Sequence, residues 1–83
     1  MQVKVRLFGG LREYLPAGSA FNHCELSLPQ GATLSDLLSR LPIPENKTFL
    51  VMLNDVKVDS HAYAGTPVSA SDEIVLIPPI KGG

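Results

Sequence analysis

Apolar and polar residues alternate from the first positions of the chain. Val3, Val5 and Leu7 fall on one side of a period-two pattern, with Lys4, Arg6 and Phe8 on the other. Such alternation predicts a strand that turns one face toward a core. Gly9-Gly10 ends it, and Leu11 to Leu15 can form a short helical turn stopped by Pro16. A second strand is predicted over Phe21 to Leu28, where Cys24, Leu26 and Leu28 share a face and Pro29-Gln30-Gly31 punctuates the end. The period then changes. Leu34, Leu37, Leu38 and Leu41 recur at helical spacing and make one apolar stripe. Thr33 is placed to cap this helix, with Asp36 three residues on as in a capping box, and Pro42 and Pro44 prevent its continuation.

Beyond the helix, Thr48 to Leu53 is a near-continuous apolar run. It predicts a central strand covered on both faces or nearly so. Asn54-Asp55 tolerates the left-handed region and predicts a tight hairpin into Val56-Lys57-Val58. Asp59 to Ser71 reads as irregular. Glu73 to Ile77 is the last strand, closed by Pro78-Pro79, which removes two consecutive backbone donors. The order is strand, short turn, strand, helix, strand, strand, loop, strand. It predicts an α+β domain over residues 1–77: a mixed sheet of four to five strands with one main helix packed on one face, most simply a β-grasp. Residues 78–83 form an extended tail, Pro78-Pro79-Ile80-Lys81-Gly82-Gly83.

Composition narrows the partners more than the fold. The chain has 83 residues, 45% of them hydrophobic, which suits one domain with a modest core. Its net charge is −1 and its seven Lys and Arg are scattered, so no basic stripe points to nucleic acid. The single cysteine, Cys24, has no partner for an internal disulfide and favours a reducing compartment. The alternating N-terminus lacks a signal-peptide pattern, and no apolar run approaches the roughly 20 residues of a membrane helix. The expectation is a soluble cytoplasmic protein.

A search for chemistry within the predicted domain returns little. His23 and His61 have no second ligand-type residue at metal-site spacing, so no metal site is expected. Alternation turns Cys24 toward the core and His23 away from it, which argues against a Cys–His nucleophile pair. Gly9-Gly10 lacks the spacing of a phosphate loop and reads as a sharp turn. The surface is more informative. If Ile74 and Leu76 join the core, Phe8, Val75 and Ile77 fall together on the helix-free face. A contiguous apolar set of this kind points to a binding patch; the competing reading is that Phe8 caps the core at a twisted strand end.

The stretches "VKVRLFGGLREYL", "LSDLLSRL", "VMLNDVKV" and "SDEIVLIPPIKGG" together resemble the small sulfur carriers of the MoaD/ThiS family, over nearly the whole chain. "LFGGLRE" and "PPIKGG" look closer to the MoaD type, the small subunit of molybdopterin synthase, than to ThiS. The resemblance implies a ubiquitin-like β-grasp whose reagent is its own C-terminus. An E1-like adenylating enzyme of the MoeB type uses ATP and magnesium to convert the terminal carboxylate into an acyl-adenylate. Sulfur from a sulfurtransferase or cysteine desulfurase then replaces AMP, leaving a thiocarboxylate. The carrier docks with a synthase large subunit of the MoaE type and yields the sulfur for molybdopterin. It is thus a cosubstrate that binds no cofactor itself.

On this resemblance Gly83 carries the reaction and Gly82 makes room for it, since a residue without Cβ threads a narrow channel. Six extended residues reach roughly 20 Å, enough to place Gly83 deep in a partner while the body stays outside. Pro78 and Pro79 reduce the entropy lost on threading. Ile80 is a candidate anchor, and Lys81 a variable position that can steer electrostatically. Phe8 and Ile77 match the family's docking patch, and Val75 shares their face by alternation. Lys57 departs from members that are apolar after the hairpin, which bears on the identity of the partner. A ubiquitin-like modifier forming isopeptides through Gly83, and a carrier serving thiamine or amino-acid synthesis, remain open at this point.

Overall fold

The computed structural model describes residues 1–79. Five strands appear: β1 (Gln2–Leu7), β2 (His23–Ser27), β3 (Leu50–Leu53), β4 (Val56–Val58) and β5 (Glu73–Ile77). They form one sheet in the order β2-β1-β5-β3-β4. β1 and β5 run parallel at its centre, and the other pairings are antiparallel. The single α-helix among the described residues, α1 (Leu34–Ser39), contributes Leu34 and Leu37 to the core, both fully buried. Facing them from the sheet are Val3, Val5, Leu7, Val51, Ile74 and Leu76, each likewise at 0% exposure. The helix therefore covers one face only, because each strand places alternate side chains on opposite faces.

Local signals in the sequence account for most of these elements. Thr33 Oγ1 accepts from the Asp36 N–H at 3.3 Å while Asp36 Oδ2 accepts from the Thr33 N–H at 2.9 Å, completing the capping box. The Arg40 N–H donates to the Leu37 carbonyl and the Leu41 N–H to the Leu38 carbonyl, each at 3.1 Å, closing α1, and the Leu41 side chain is buried just beyond. At the hairpin, Asn54 and Asp55 take φ values of 51° and 68°, the paired left-handed conformation of a two-residue turn that matches strand twist. β5 spans the predicted residues, with Ile74 and Leu76 inward as expected.

Three expectations are corrected. β3 is not central: β5 is, and β3 lies second from the edge, with Leu50 and Met52 half-buried on the uncovered face. Its continuous hydrophobicity therefore does not mean cover on both sides. The second strand begins at His23, leaving Phe21 80% exposed beneath the Arg12 guanidinium, 4.4 Å from the ring centroid. Part of the segment read as irregular is a 3-10 helix, Ser60–Gly65, which packs beside α1. A second 3-10 helix, Gly9–Tyr14, realises the predicted turn after β1 and buries Leu11.

A polar clasp fastens the hairpin to the start of β5. Asn54 Nδ2 donates to Asp72 Oδ1 at 3.0 Å, the Ser69 N–H donates to Asp72 Oδ2 at 2.7 Å, and the Glu73 N–H donates to Asn54 Oδ1 at 2.9 Å. Donation from Asn54 and then from Ser69 outweighs desolvation and holds the Asp72 carboxyl below the usual carboxylate range. A depressed folded-state pKa gives stability that is complete above the unfolded value of about 4 and is lost as pH falls through the folded one. Asp72→Asn should thus flatten the acid limb of a stability-versus-pH curve, with a cost at neutral pH held below about 1 kcal/mol because solvent screens this carboxylate. Thermal melts from pH 7 to pH 2 read this out; an unchanged acid limb would show that the clasp carries no linkage.

Candidate functional site

Strand register lays out the helix-free face row by row, since residues directly opposite on neighbouring strands share a face. Glu25, Lys4 and Glu73 stand together in one row. The next runs from His23 through Arg6 and Val75 to Met52 and Lys57. In the last row Ile77 stands beside Leu50. Phe8 prolongs β1 into that row, with extended backbone (φ −113°, ψ 161°) and an N–H that donates to the Leu76 carbonyl at 3.1 Å. Along the strands the face thus grades from charged to apolar. The apolar end is where β5 runs out into Pro78 and Pro79.

Phe8 is 39% exposed, and Val75, Ile77, Leu50 and Met52 are half-buried. None of the five is among the partly buried residues packed against the core, unlike Leu26, Phe49, Leu53 or Val58. Phe8 therefore does not cap the core. Leu50 and Met52 enlarge the set that sequence reasoning assembled, and the signal for them was available: an apolar outward face on β3. Charge frames the strip at its flanks, with Lys57 3.8 Å from Asp59 in an exposed pair. Arg6 Nε, shielded beneath its own row, finds no acceptor among the described residues.

Pro78 and Pro79 begin the tail at this apolar end. Pro78 is half-buried and Pro79 exposed. Pro78 lies against Gly9, whose backbone is left-handed at φ +58°. The two prolines also form one wall of a cleft shared with Leu11, Tyr14, Lys47 and Thr48. Ile80, Lys81, Gly82 and Gly83, the remaining sequence-predicted site residues, lie outside the described residues.

Burial pushes the Cys24 thiol up and so disfavours its thiolate, the reactive form. The Tyr63 hydroxyl is raised by burial and then by the charge of Asp59. Among the described residues, no group of three or more His, Cys, Asp and Glu is gathered as a metal would require. No described helix is long and apolar enough to cross a membrane.

A five-stranded mixed sheet with one helix across one face, an apolar strip on the other and a proline-led tail defines a ubiquitin-like β-grasp protein. Residues 5–83 match the ThiS family. The chain belongs to that family, the ThiS/MoaD-type ubiquitin-like sulfur carriers. No curated protein matches it at a significant level. Among solved structures it is similar to a chain of the protein–protein complex of subunits 1 and 2 of molybdopterin-converting factor from Helicobacter pylori 26695. The identity is 27%, both chains are fully covered and the TM-score is 0.66. SAMP1 from Haloferax volcanii is 22% identical with full cover of both chains and a TM-score of 0.68. A second structure of that small archaeal modifier protein is 24% identical over 95% of this chain and 98% of its own, with a TM-score of 0.67. The two archaeal likenesses carry the fold alone.

Proposed function

We propose that this chain is a sulfur carrier that serves molybdopterin synthesis as the small subunit of molybdopterin synthase. One observation carries the reading: the apolar strip of Phe8, Leu50, Met52, Val75 and Ile77 is continuous with the root of the tail. A partner that grips the strip has the tail directed into it. The similarity to a molybdopterin-converting factor solved as a complex of its two subunits supports a large-subunit partner of the same kind.

The chemistry follows from the tail's end. The Gly83 carboxylate is a poor electrophile until an E1-like enzyme, using ATP and magnesium, joins it to AMP as a good leaving group. The outer sulfur of a persulfide on a sulfurtransferase or cysteine desulfurase attacks the acyl carbon and expels AMP. A thiol then reduces the acyl disulfide so formed, releasing the thiocarboxylate and leaving a disulfide on the donor. The resulting thiocarboxylate is a tethered sulfur nucleophile, delivered by docking and so at high effective concentration. Gly82 admits the backbone to the narrow approach. Val75 and Ile77 dock with Phe8, while Pro78, Pro79, Ile80 and Lys81 line the threaded segment.

A second reading has a specific observation behind it. Gly82-Gly83 serves either chemistry: once adenylated, the Gly83 acyl group can pass to a lysine of a target protein as well as to sulfur. Both readings share the adenylate. Expression in a strain lacking its own molybdopterin synthase small subunit tests between them. Restored molybdoenzyme activity is the expected outcome. Failure to restore it, with peptides branched at lysine by Gly-Gly in the same cells, would replace the carrier by the modifier.

A further inference from the structure

The corner that follows β1 is built around the tail. Gly9 takes φ +58°, a conformation that side chains disfavour, and a Cβ added there would lie 2.8 Å from Pro78 Cγ and 3.5 Å from its Cδ. Real Cβ atoms do not approach so closely, so the space above Gly9 is filled by the proline ring. Strand pairing leads to this contact. The parallel ladder ends at Leu7 beside Leu76, and the Phe8 N–H still reaches the Leu76 carbonyl at 3.1 Å. Two steps beyond the Leu7–Leu76 pair, past Phe8 and Ile77, the same register sets Gly9 against Pro78. The corner is then held from its other side, with the Leu11 N–H donating to the Phe8 carbonyl at 3.2 Å.

We propose that Gly9 is a positioning residue: it forms a seat for the Pro78 ring that fixes the direction in which the tail leaves the domain. The consequence for sulfur loading rests on the carrier reading above. Pro78 has its φ fixed by its ring, so seating the ring fixes the chain at the point where the tail starts. The reactive carboxylate stands about five residues further on, and a small rotation at the root is amplified over that length of chain. Misplacing a reacting group by about 1 Å costs up to about a hundredfold in rate.

The chain supplies its own controls. Gly18 and Gly31 have φ of +85° and +86° with nothing within 4 Å, so alanine there meets backbone strain without a clash. The test measures adenylation by the activating enzyme as separate kcat and KM, with thermal melts, for Gly9→Ala, Gly18→Ala and Gly31→Ala. Gly9→Ala is expected to lower kcat about tenfold or more at unchanged KM, since the docking strip is intact. Its melting temperature should fall no further than those of the two controls.

The Pro78→Ala background isolates the clash. It removes Cγ and Cδ and leaves only Pro78 Cβ, 4.0 Å from the added atom. There, Gly9→Ala should have no kcat effect beyond that of the controls, a coupling that a merely structural role would not show. An effect of Gly9→Ala equal to that of Gly18→Ala, or the same in both backgrounds, would overturn the proposal. If the wild-type chain is not adenylated at all, the carrier reading fails separately, and the seat is judged by nuclear Overhauser contacts between Gly9 Hα and the Pro78 ring. Their presence, with shifted Pro79 signals in Gly9→Ala, upholds the seat; their absence in the wild type removes it.

Discussion

Deleting Gly83 is expected to abolish sulfur loading and transfer while leaving the fold unchanged. The deletion withdraws the carboxylate by about 3.5 Å, one extended residue. Reacting atoms must lie about 3–3.5 Å apart in a productive complex, so this shift exceeds the tolerance of any step at that carbon. Gly82 would then present a carboxylate one residue short of the nucleotide and the sulfur donor. A loss of at least about a hundredfold in thiocarboxylate formation is expected. The melting temperature should not move, because the last strand ends at Ile77, six residues before the deletion, and glycine has no side chain to pack. Retention of sulfur transfer by the shortened chain would contradict a role for Gly83 as the reacting residue.

The second large effect concerns docking. Ile77→Asp is expected to weaken binding to the synthase large subunit by about 2 kcal/mol or more, roughly thirtyfold in Kd. Its backbone pairing with Leu50 does not depend on the side chain, and Ile77 is not among the residues packed against the core. The substitution sets an unpaired charge at the centre of the apolar row, between Phe8 and Leu50. Desolvating that carboxylate on docking is what weakens the complex. Stability should change by no more than about 1 kcal/mol, the scale of a cross-strand pair. Ile74→Asp, at a fully buried neighbour, should unfold the protein instead. Comparable collapse of both variants by thermal melt would show that Ile77 belongs to the core and that the strip is not a docking face.

What could be read from the sequence divides along the range of the interactions. Thr33, Asp36 and the leucine stripe specify α1 within a few residues, and Asn54-Asp55 specifies its hairpin by the conformations those residues tolerate. Alternation in β1 and β5 assigned Phe8, Val75 and Ile77 to one face because a period of two leaves no freedom about side. Strand order was less accessible. It depends on pairing between distant segments, and the Thr48 to Leu53 run fits a doubly covered strand as well as one with a sticky outer face. Leu50 and Met52 were missed for that reason. The Gly9–Pro78 contact was hidden in the same way, as a local turn signal whose second cause lies at the far end of the chain. Phe21 continued an apolar pattern but packs beneath Arg12 in place of the core.

The central claim is that Gly83 becomes a thiocarboxylate. Intact-mass measurement of the chain purified from its own cells tests it most directly. The expected species is heavier than the unmodified chain by the difference between sulfur and oxygen, is confined to the C-terminal peptide, and takes up one alkyl group from a thiol-alkylating reagent there. A population carrying no such species while the sulfur donor and activating enzyme are present and active would contradict it.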